Sequence, residues 1–310
     1  AEQTAVCTFR IVTRNVQYIM PKLSPRTVIN HINIPTMDPK LVSTLIKDKG
    51  VFMAWQSINR FNSYISAAVV DFAGNNIIPE FIVTDIKAGT HGRFVRNPKL
   101  AQFSNQDLFI MWETSDTALR GKIIDWKNTI KVDEFEICGP TQNIEYVDAY
   151  PLGENVLILT TLHQPKHLIL GHIVGPNGSI IKQDITLSET YSEVISPKLT
   201  ILPSGNVILT YIERDFSSKK VQVTAILLDN DLTLTKSVVL YSALEWIYKL
   251  DSLLLSTGNI MLAWTATSRM DPVSTKLSAI IINEDLEIVK AKFTLANMGT
   301  TQPTYPSLMT

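Results

Sequence analysis

Cysteine is nearly missing from this chain: Cys7 and Cys138 are the only two in 310 residues. Two thiols cannot staple a small scaffold, so a disulfide-built fold is excluded. Charge is scarce as well. Asp, Glu, Lys and Arg make up 18% of the chain, where globular proteins carry about 25%. The charges also cancel, 28 basic residues against 29 acidic ones, which excludes a nucleic-acid binder working through a broadly basic surface. No uncharged apolar run approaches the ~18 residues that a membrane-spanning helix requires. A P-loop, a dinucleotide fingerprint and a Gly-x-Ser-x-Gly elbow are all missing, and no cofactor is expected.

The chain opens on Ala1-Glu2-Gln3 with neither a basic segment nor an apolar stretch behind it, so no signal peptide is expected within it. The same tripeptide suits the product side of a signal-peptidase cut and equally any other trimming, and Asn177-Gly178-Ser179 fits the glycosylation sequon and equally a plain turn. Export, to a periplasm or to the exterior, is the expected location.

What the chain does have is apolar residues, at 45%, enough to bury a sizeable core and to exclude a disordered tail. These residues fall in runs of strand length, rich in Val, Ile, Thr and aromatics, with almost no sustained helical spacing. The runs recur as a unit. A first strand starts at Pro39-Lys40-Leu41-Val42, Pro98-Lys99-Leu100, Pro197-Lys198-Leu199-Thr200 and Tyr248-Lys249-Leu250. After a polar turn comes a second strand with a large residue near its end, such as Val51–Trp55, Leu108–Trp112, Val207–Tyr211 and Ile260–Trp264. A third strand follows a variable polar loop and ends in a tight turn at Asp71, Asp125, Gly175, Asp229 and Asn283. Asp, Asn and Gly suit such turns because they tolerate left-handed backbone or bond to it. A fourth strand closes each unit.

From Asp71 to Asn283 the turn advances 212 residues in four steps, or 53 per step. A four-stranded antiparallel unit at this spacing predicts a β-propeller rather than a sandwich or solenoid. Dividing 310 by 53 gives 5.8, hence six blades. The predicted fold is all-β, one propeller domain over 1–310. Its blades are expected at about 38–86, 97–139, 145–189, 196–242 and 247–297, with a closing blade from 1–35 and 303–310. Pairing the two termini in one blade removes the exposed strand edges of an open ring. Blade-on-blade packing would bury both faces of most strands, which accounts for the low charge.

With this layout the chain resembles the six-bladed β-propeller superfamily, and distantly the sialidases within it. It lacks the Trp-Asp ending of WD repeats, the Gly-Gly pair of kelch repeats and the Ser-x-Asp-x-Gly-x-Thr-Trp box of sialidases, whose turn position is taken by Asp71-Phe72-Ala73-Gly74 and its relatives. Phe9-Arg10-Ile11-Val12 is similar to the Phe-Arg-Ile-Pro segment that carries one sialidase arginine, with Val12 in place of proline. The resemblance implies a fold and leaves the chemistry open.

In a propeller the loops between strands two and three share one face with the links between blades. Arg14, Arg60, Arg120, Arg214 and Arg269 fall just after second strands, and Arg93 and Arg96 fall in the link before the second blade, seven of nine arginines in all. Planar guanidinium groups around a concave mouth would take a carboxylate, sulfate or phosphate. Glu113, Asp116, Glu213, Asp215 and Asp271 occupy the same loops and would turn some arginines into surface ion pairs. Trp246 and Tyr248 join the arginines as candidate ligand-binding residues. They stand beside Phe94, Tyr146, Tyr191 and Tyr305 in the links, aromatic faces for sugar rings or for a protein.

For hydrolysis the weak candidates are Tyr211 and Glu213, two residues apart on one strand end, with Asp271. His163, His167 and His172 lie within ten residues. On one strand, His167 and His172 would point to opposite faces, and Pro165 marks a loop in which histidines are simply exposed, so no metal site is expected. Cys7 and Cys138 fall in non-adjacent blades and are expected as buried thiols.

Three functions fit. The first is a non-catalytic recognition or scaffold module that binds a glycan or protein through its loop face. The second is a sialidase-like glycan-processing enzyme, in which Arg10, Arg60, Arg214 or Arg269 would hold a carboxylate. The third is a structural subunit of a larger envelope or surface assembly. Nucleic acid and a membrane span are not expected in any of them.

Overall fold

Strands of six to twelve residues, joined by polar turns, build the described part of the molecule. The structure is a computed structural model that describes residues 41–58, 63–84, 94–139, 144–268 and 275–299. These residues form twenty strands in five four-stranded antiparallel sheets, each sheet in chain order. The first sheet holds β1 (Leu41–Ile46), β2 (Gly50–Ile58), β3 (Ser63–Val70) and β4 (Asn76–Ile82). The second holds β5 (Val95–Gln102), β6 (Leu108–Thr114), β7 (Leu119–Ile124) and β8 (Ile130–Cys138). The third holds β9 (Ile144–Leu152), β10 (Asn155–Gln164), β11 (Lys166–Val174) and β12 (Ile180–Thr190). The fourth holds β13 (Glu193–Ile201), β14 (Val207–Asp215), β15 (Lys220–Leu228) and β16 (Leu234–Ala243). The fifth holds β17 (Trp246–Leu254), β18 (Ile260–Thr267), β19 (Thr275–Ile282) and β20 (Ile288–Gly299). The expected closing blade, 1–35 with 303–310, lies outside the described residues.

Local chemistry repeats from sheet to sheet. The Pro-Lys-Leu segments are bulges. The register slips by one residue between Arg96 and Lys99 in β5 and between Ile195 and Lys198 in β13, and again between Ile247 and Lys249 in β17. In the first two cases the residue before the proline is left-handed, Asn97 at φ 53° and Ser196 at φ 49°. A proline cannot donate to the ladder, so it sits where the bulge has already broken it.

The turn between the third and fourth strands is also one structure used five times. Its first residue donates its N–H four residues ahead and accepts from the N–H three residues ahead, at Asp71, Asp125, Gly175, Asp229 and Asn283 alike. In four of the five a side-chain oxygen of that first residue also accepts two N–H groups. Asp71 takes those of Ala73 and Asn75, Asp125 those of Lys127 and Thr129, Asp229 those of Asp231 and Thr233, and Asn283 those of Asp285 and Glu287. The side-chain oxygen thus satisfies amides that the hairpin leaves over.

Burial follows strand order. The second strand is the most enclosed, every residue of β6 being buried, and the third is nearly so, whereas β4 and β16 show mostly exposed residues. Burial on both faces therefore belongs to the two middle strands of a sheet. Trp55, Trp112, Tyr211 and Trp264, at recurring second-strand positions, are all buried. One apolar core joins the first two sheets through Phe52, Ile65, Leu108, Ile110 and Trp112. Another joins the fourth and fifth through Ile208, Ile212, Leu250, Leu262 and Trp264. Within each of these pairs the first strands lie side by side, β1 by β5 and β13 by β17. In the second pair Thr200 Oγ1 donates to Ser252 Oγ at 3.0 Å.

The chain divides into two compact units. One holds the first two sheets with residues 149–156 and 173–181, and the other holds residues 143–148 and 157–172 with the chain from Lys182 onward, the last two sheets included.

Candidate functional site

Strand pairing gathers four chain segments at one end of each sheet. In the fourth sheet Glu193 lies opposite Arg214, Asp215 opposite Lys220 and Val221 opposite Ala243. The start of the first strand, the hairpin between strands two and three, and the end of the fourth strand therefore share one edge. Tyr191, Phe216 and Leu244 stand just beyond these strand ends and are exposed at 79%, 69% and 60%. Asp215 shapes the hairpin beneath them. Its Oδ1 accepts the Ser217 N–H at 2.8 Å and the Ser217 hydroxyl at 2.6 Å, and its Oδ2 accepts the Ser218 hydroxyl at 2.6 Å. These donors hold the carboxyl well below its ordinary range, at about 2.

Each described arginine of the expected ring meets a carboxylate of its own sheet. Arg96 Nε donates to Glu113 Oε2 at 2.9 Å, while Asn97 Nδ2 holds the other oxygen at 2.7 Å. Arg120 Nη1 donates to Glu134 Oε1 at 2.8 Å. Arg214 Nη1 donates to Glu193 Oε2 at 3.0 Å and Nη2 to the Ile247 carbonyl at 3.4 Å, and the guanidinium lies 5.1 Å over the Trp246 ring. Trp246 thus serves Arg214 as a platform, whereas Tyr248 and Phe94 are exposed. Arg14, Arg60, Arg93 and Arg269, with Arg10, Asp271, Tyr305 and Cys7, lie outside the described residues.

The Tyr211–Glu213 pair is arranged for packing. The Tyr211 hydroxyl lies 3.0 Å from that of Ser188, and Glu213 Oε2 accepts from Thr224 Oγ1 at 3.2 Å. Burial pushes the phenol up to about 12, and the Glu213 charge adds to the rise. A nucleophilic phenolate requires the opposite shift.

The histidines depart from expectation. His163 is exposed, but His167 and His172 are buried, because the hairpin around Pro165 is short and both rings lie on β11 within the sheet. His172 is bracketed by Thr160 Oγ1, 3.1 Å from Nε2, and by the Asp184 N–H, which donates to Nδ1 at 3.3 Å. His163 and His167 instead stack in parallel, with centroids 4.0 Å apart and planes 9° apart. Both turn Nδ1 toward one carboxylate: Glu145 Oε1 is 3.6 Å from His163 Nδ1, and Oε2 is 3.5 Å from His167 Nδ1. His167 is 5% exposed, and its Nδ1 is buried without a hydrogen-bond partner. Burial and the neighbouring His163 lower the His167 pKa, with Glu145 and Glu193 opposing. Glu145 escapes sequence reasoning because it stands at the start of β9, 18 residues before His163, and only sheet pairing brings it back. The one signal in the sequence is a histidine on each side of a hairpin proline.

Five four-stranded antiparallel sheets, each in chain order, with first strands side by side in two pairs, β1 by β5 and β13 by β17, are the architecture of a β-propeller. No protein-family model matches the chain, and no curated protein matches it. Among solved structures it is similar to a protein of unknown function from Dyadobacter fermentans, at TM-score 0.54 and 11% identity over 84% of this chain and 83% of that one. An endo-arabinase from Bacteroides thetaiotaomicron matches at TM-score 0.47 and 14% identity, over 65% of this chain and 81% of that one. An alpha-L-arabinanase from Penicillium chrysogenum, complexed with arabinobiose, matches at 0.49 and 14%, over 68% and 70%. At these identities the likeness concerns the fold alone.

Proposed function

We propose that this chain is a non-catalytic recognition or scaffold propeller that takes a protein or glycan partner on the loop end of its sheets. The observation that carries the reading is the row of Tyr191, Phe216 and Leu244, large apolar side chains left in solvent along one sheet end. Burying them offers a partner contact area that the chain itself does not use. The Tyr211 hydroxyl, buried and turned to Ser188, supports recognition over hydrolysis. On the same reading residues 1–35 and 303–310 complete one ring of six blades, and the protein works outside the cytoplasm, alone or within a larger surface assembly. Arg214, with Trp246 and Tyr248, then borders the partner site, its charge set by the Glu193 carboxylate it already holds.

The test is a glycan array that includes sialosides, run beside a panel of fluorogenic glycosides. The expected result is binding without turnover, with binding lost in Tyr191→Ser/Phe216→Ser at an unchanged melting temperature. Turnover that Tyr211→Phe abolishes would sink the reading in favour of a glycan-processing enzyme. Size-exclusion chromatography separates the lone 34.7 kDa chain from an assembly.

A further inference from the structure

We propose that Glu145, His163 and His167 form a binding site for one divalent first-row transition ion, zinc above all, with one coordination position open to solvent. The site stands apart from the recognition reading and does not depend on it.

Three observations carry it. First, the donor set is two imidazoles and a carboxylate, and one ligand atom from each lies within 4.8 Å of the other two. Imidazole selects zinc and its neighbours, whereas calcium and magnesium take oxygen ligands throughout. Second, the spacing fits a shared ion better than it fits hydrogen bonds. The two O···N distances are 3.5 and 3.6 Å, longer than a well-formed bond of roughly 2.7–3.2 Å. Zinc bonds of about 2.0–2.2 Å separate neighbouring ligands of a tetrahedron by roughly 3.3–3.6 Å. Third, His167 Nδ1 is a buried polar atom with no hydrogen-bond partner, and it faces the Glu145 carboxylate. Buried nitrogens are almost always satisfied, and an ion held between ring and carboxylate satisfies this one.

Parallel rings cannot aim both Nδ1 lone pairs at one ion, so binding turns the exposed His163 ring out of the stack while the buried His167 ring stays in place. Lys166, next in the chain to His167, is tied to Glu189 and lies over the Tyr191 ring, so its ammonium is drawn off the cluster. Glu193 adds negative charge toward His167. His163 and Glu145 are exposed, which gives the ion a way in and leaves room for a water as its fourth ligand, the arrangement of an open zinc site. All three residues belong to one compact unit.

The experiment is isothermal titration of ZnCl2 into the untagged full chain after dialysis against a chelator, repeated with CaCl2 and MgCl2. One zinc per chain is expected, with no heat from calcium or magnesium. Affinity should fall at least tenfold in Glu145→Gln and in His163→Ala. Both residues are exposed, and circular dichroism verifies that these variants remain folded. His167→Ala removes a buried ring and can unfold, so it is not relied upon. Loading with Co2+ gives a second readout, an intense visible spectrum of low-coordinate cobalt that His163→Ala should abolish. Absence of zinc binding, binding unchanged in both variants, or a preference for calcium would each overturn the proposal.

Discussion

Both ring nitrogens of His172 meet partners inside the sheet. A backbone N–H can only donate, so Nδ1, which receives the Asp184 amide, is the unprotonated nitrogen, and Nε2–H points to Thr160. Burial keeps its pKa below the ordinary value of 6.5, with the Asp184 charge pulling the other way. The unfolded chain therefore takes up the proton first as pH falls. The stabilisation is complete above about 6.5 and is lost as pH drops toward the folded pKa. The urea midpoint should fall between about pH 7.5 and about pH 5.5, and His172→Asn, which keeps an acceptor for the Asp184 amide, should flatten that slope. Asp215 makes the acid-side counterpart. Its carboxyl titrates at about 2 instead of 3.8, so its contribution is intact above the unfolded value and disappears as pH falls through about 2. Carboxyl-carbon NMR should give that low value in the native protein, and Ser217→Ala should raise it.

At the scale of the element, the turns between third and fourth strands each place one residue in left-handed backbone. In two of them that residue is a leucine: Leu232 at φ 66° and Leu286 at φ 62°. Such a conformation costs a side-chain-bearing residue about 1–2 kcal/mol, and both leucines repay it by being buried in the last two sheets. Leu286→Ala should therefore lose about 2–5 kcal/mol, the usual range for emptying a core site. Leu286→Gly, relieved of the strain, should be no less stable than Leu286→Ala, the reverse of the ordinary order at a strand or helix position. The same geometry separates two glycines. Gly258, at φ 83°, has open space where a Cβ would go, so alanine there should cost about 1–2 kcal/mol. At Gly178, φ 78°, the added methyl would lie 2.7 Å from Val132 Cγ1, and the loss should be larger. Chemical denaturation of the four variants checks all of these.

Over the whole chain, burial that depends on strand order predicts a protection pattern repeated sheet by sheet. Amide exchange should be slowest in β6, β7, β14 and β18, whose side chains are almost all enclosed, and fastest among strands in β4, β16 and β20. Uniform protection across the four strands of a sheet would contradict it. Trp112→Ala and Trp264→Ala, which empty central second-strand positions, should each cost about 3–5 kcal/mol in thermal or chemical unfolding.

The strands, the repeated turns and the recurrence of a large residue on four of the five second strands were legible in the sequence because they depend on neighbours a few residues apart. Asp and Asn at turn starts, proline at bulges and alternating apolar residues act locally, and a 53-residue period repeats them. The fate of the polar residues was decided by tertiary structure. Arg96 finds Glu113, Arg214 finds Glu193, and Glu145 finds His163 and His167. Each meeting spans 17 to 22 residues and depends on which strand ends the register brings to one edge. Composition alone reads those arginines as a ring awaiting an anion and those histidines as exposed loop residues. Pairing across the sheet neutralises the arginines and buries His167 with its nitrogen facing a carboxylate. A side chain's charge and donors come from its own chemistry, but whether they remain available depends on what the rest of the chain places within about 4 Å.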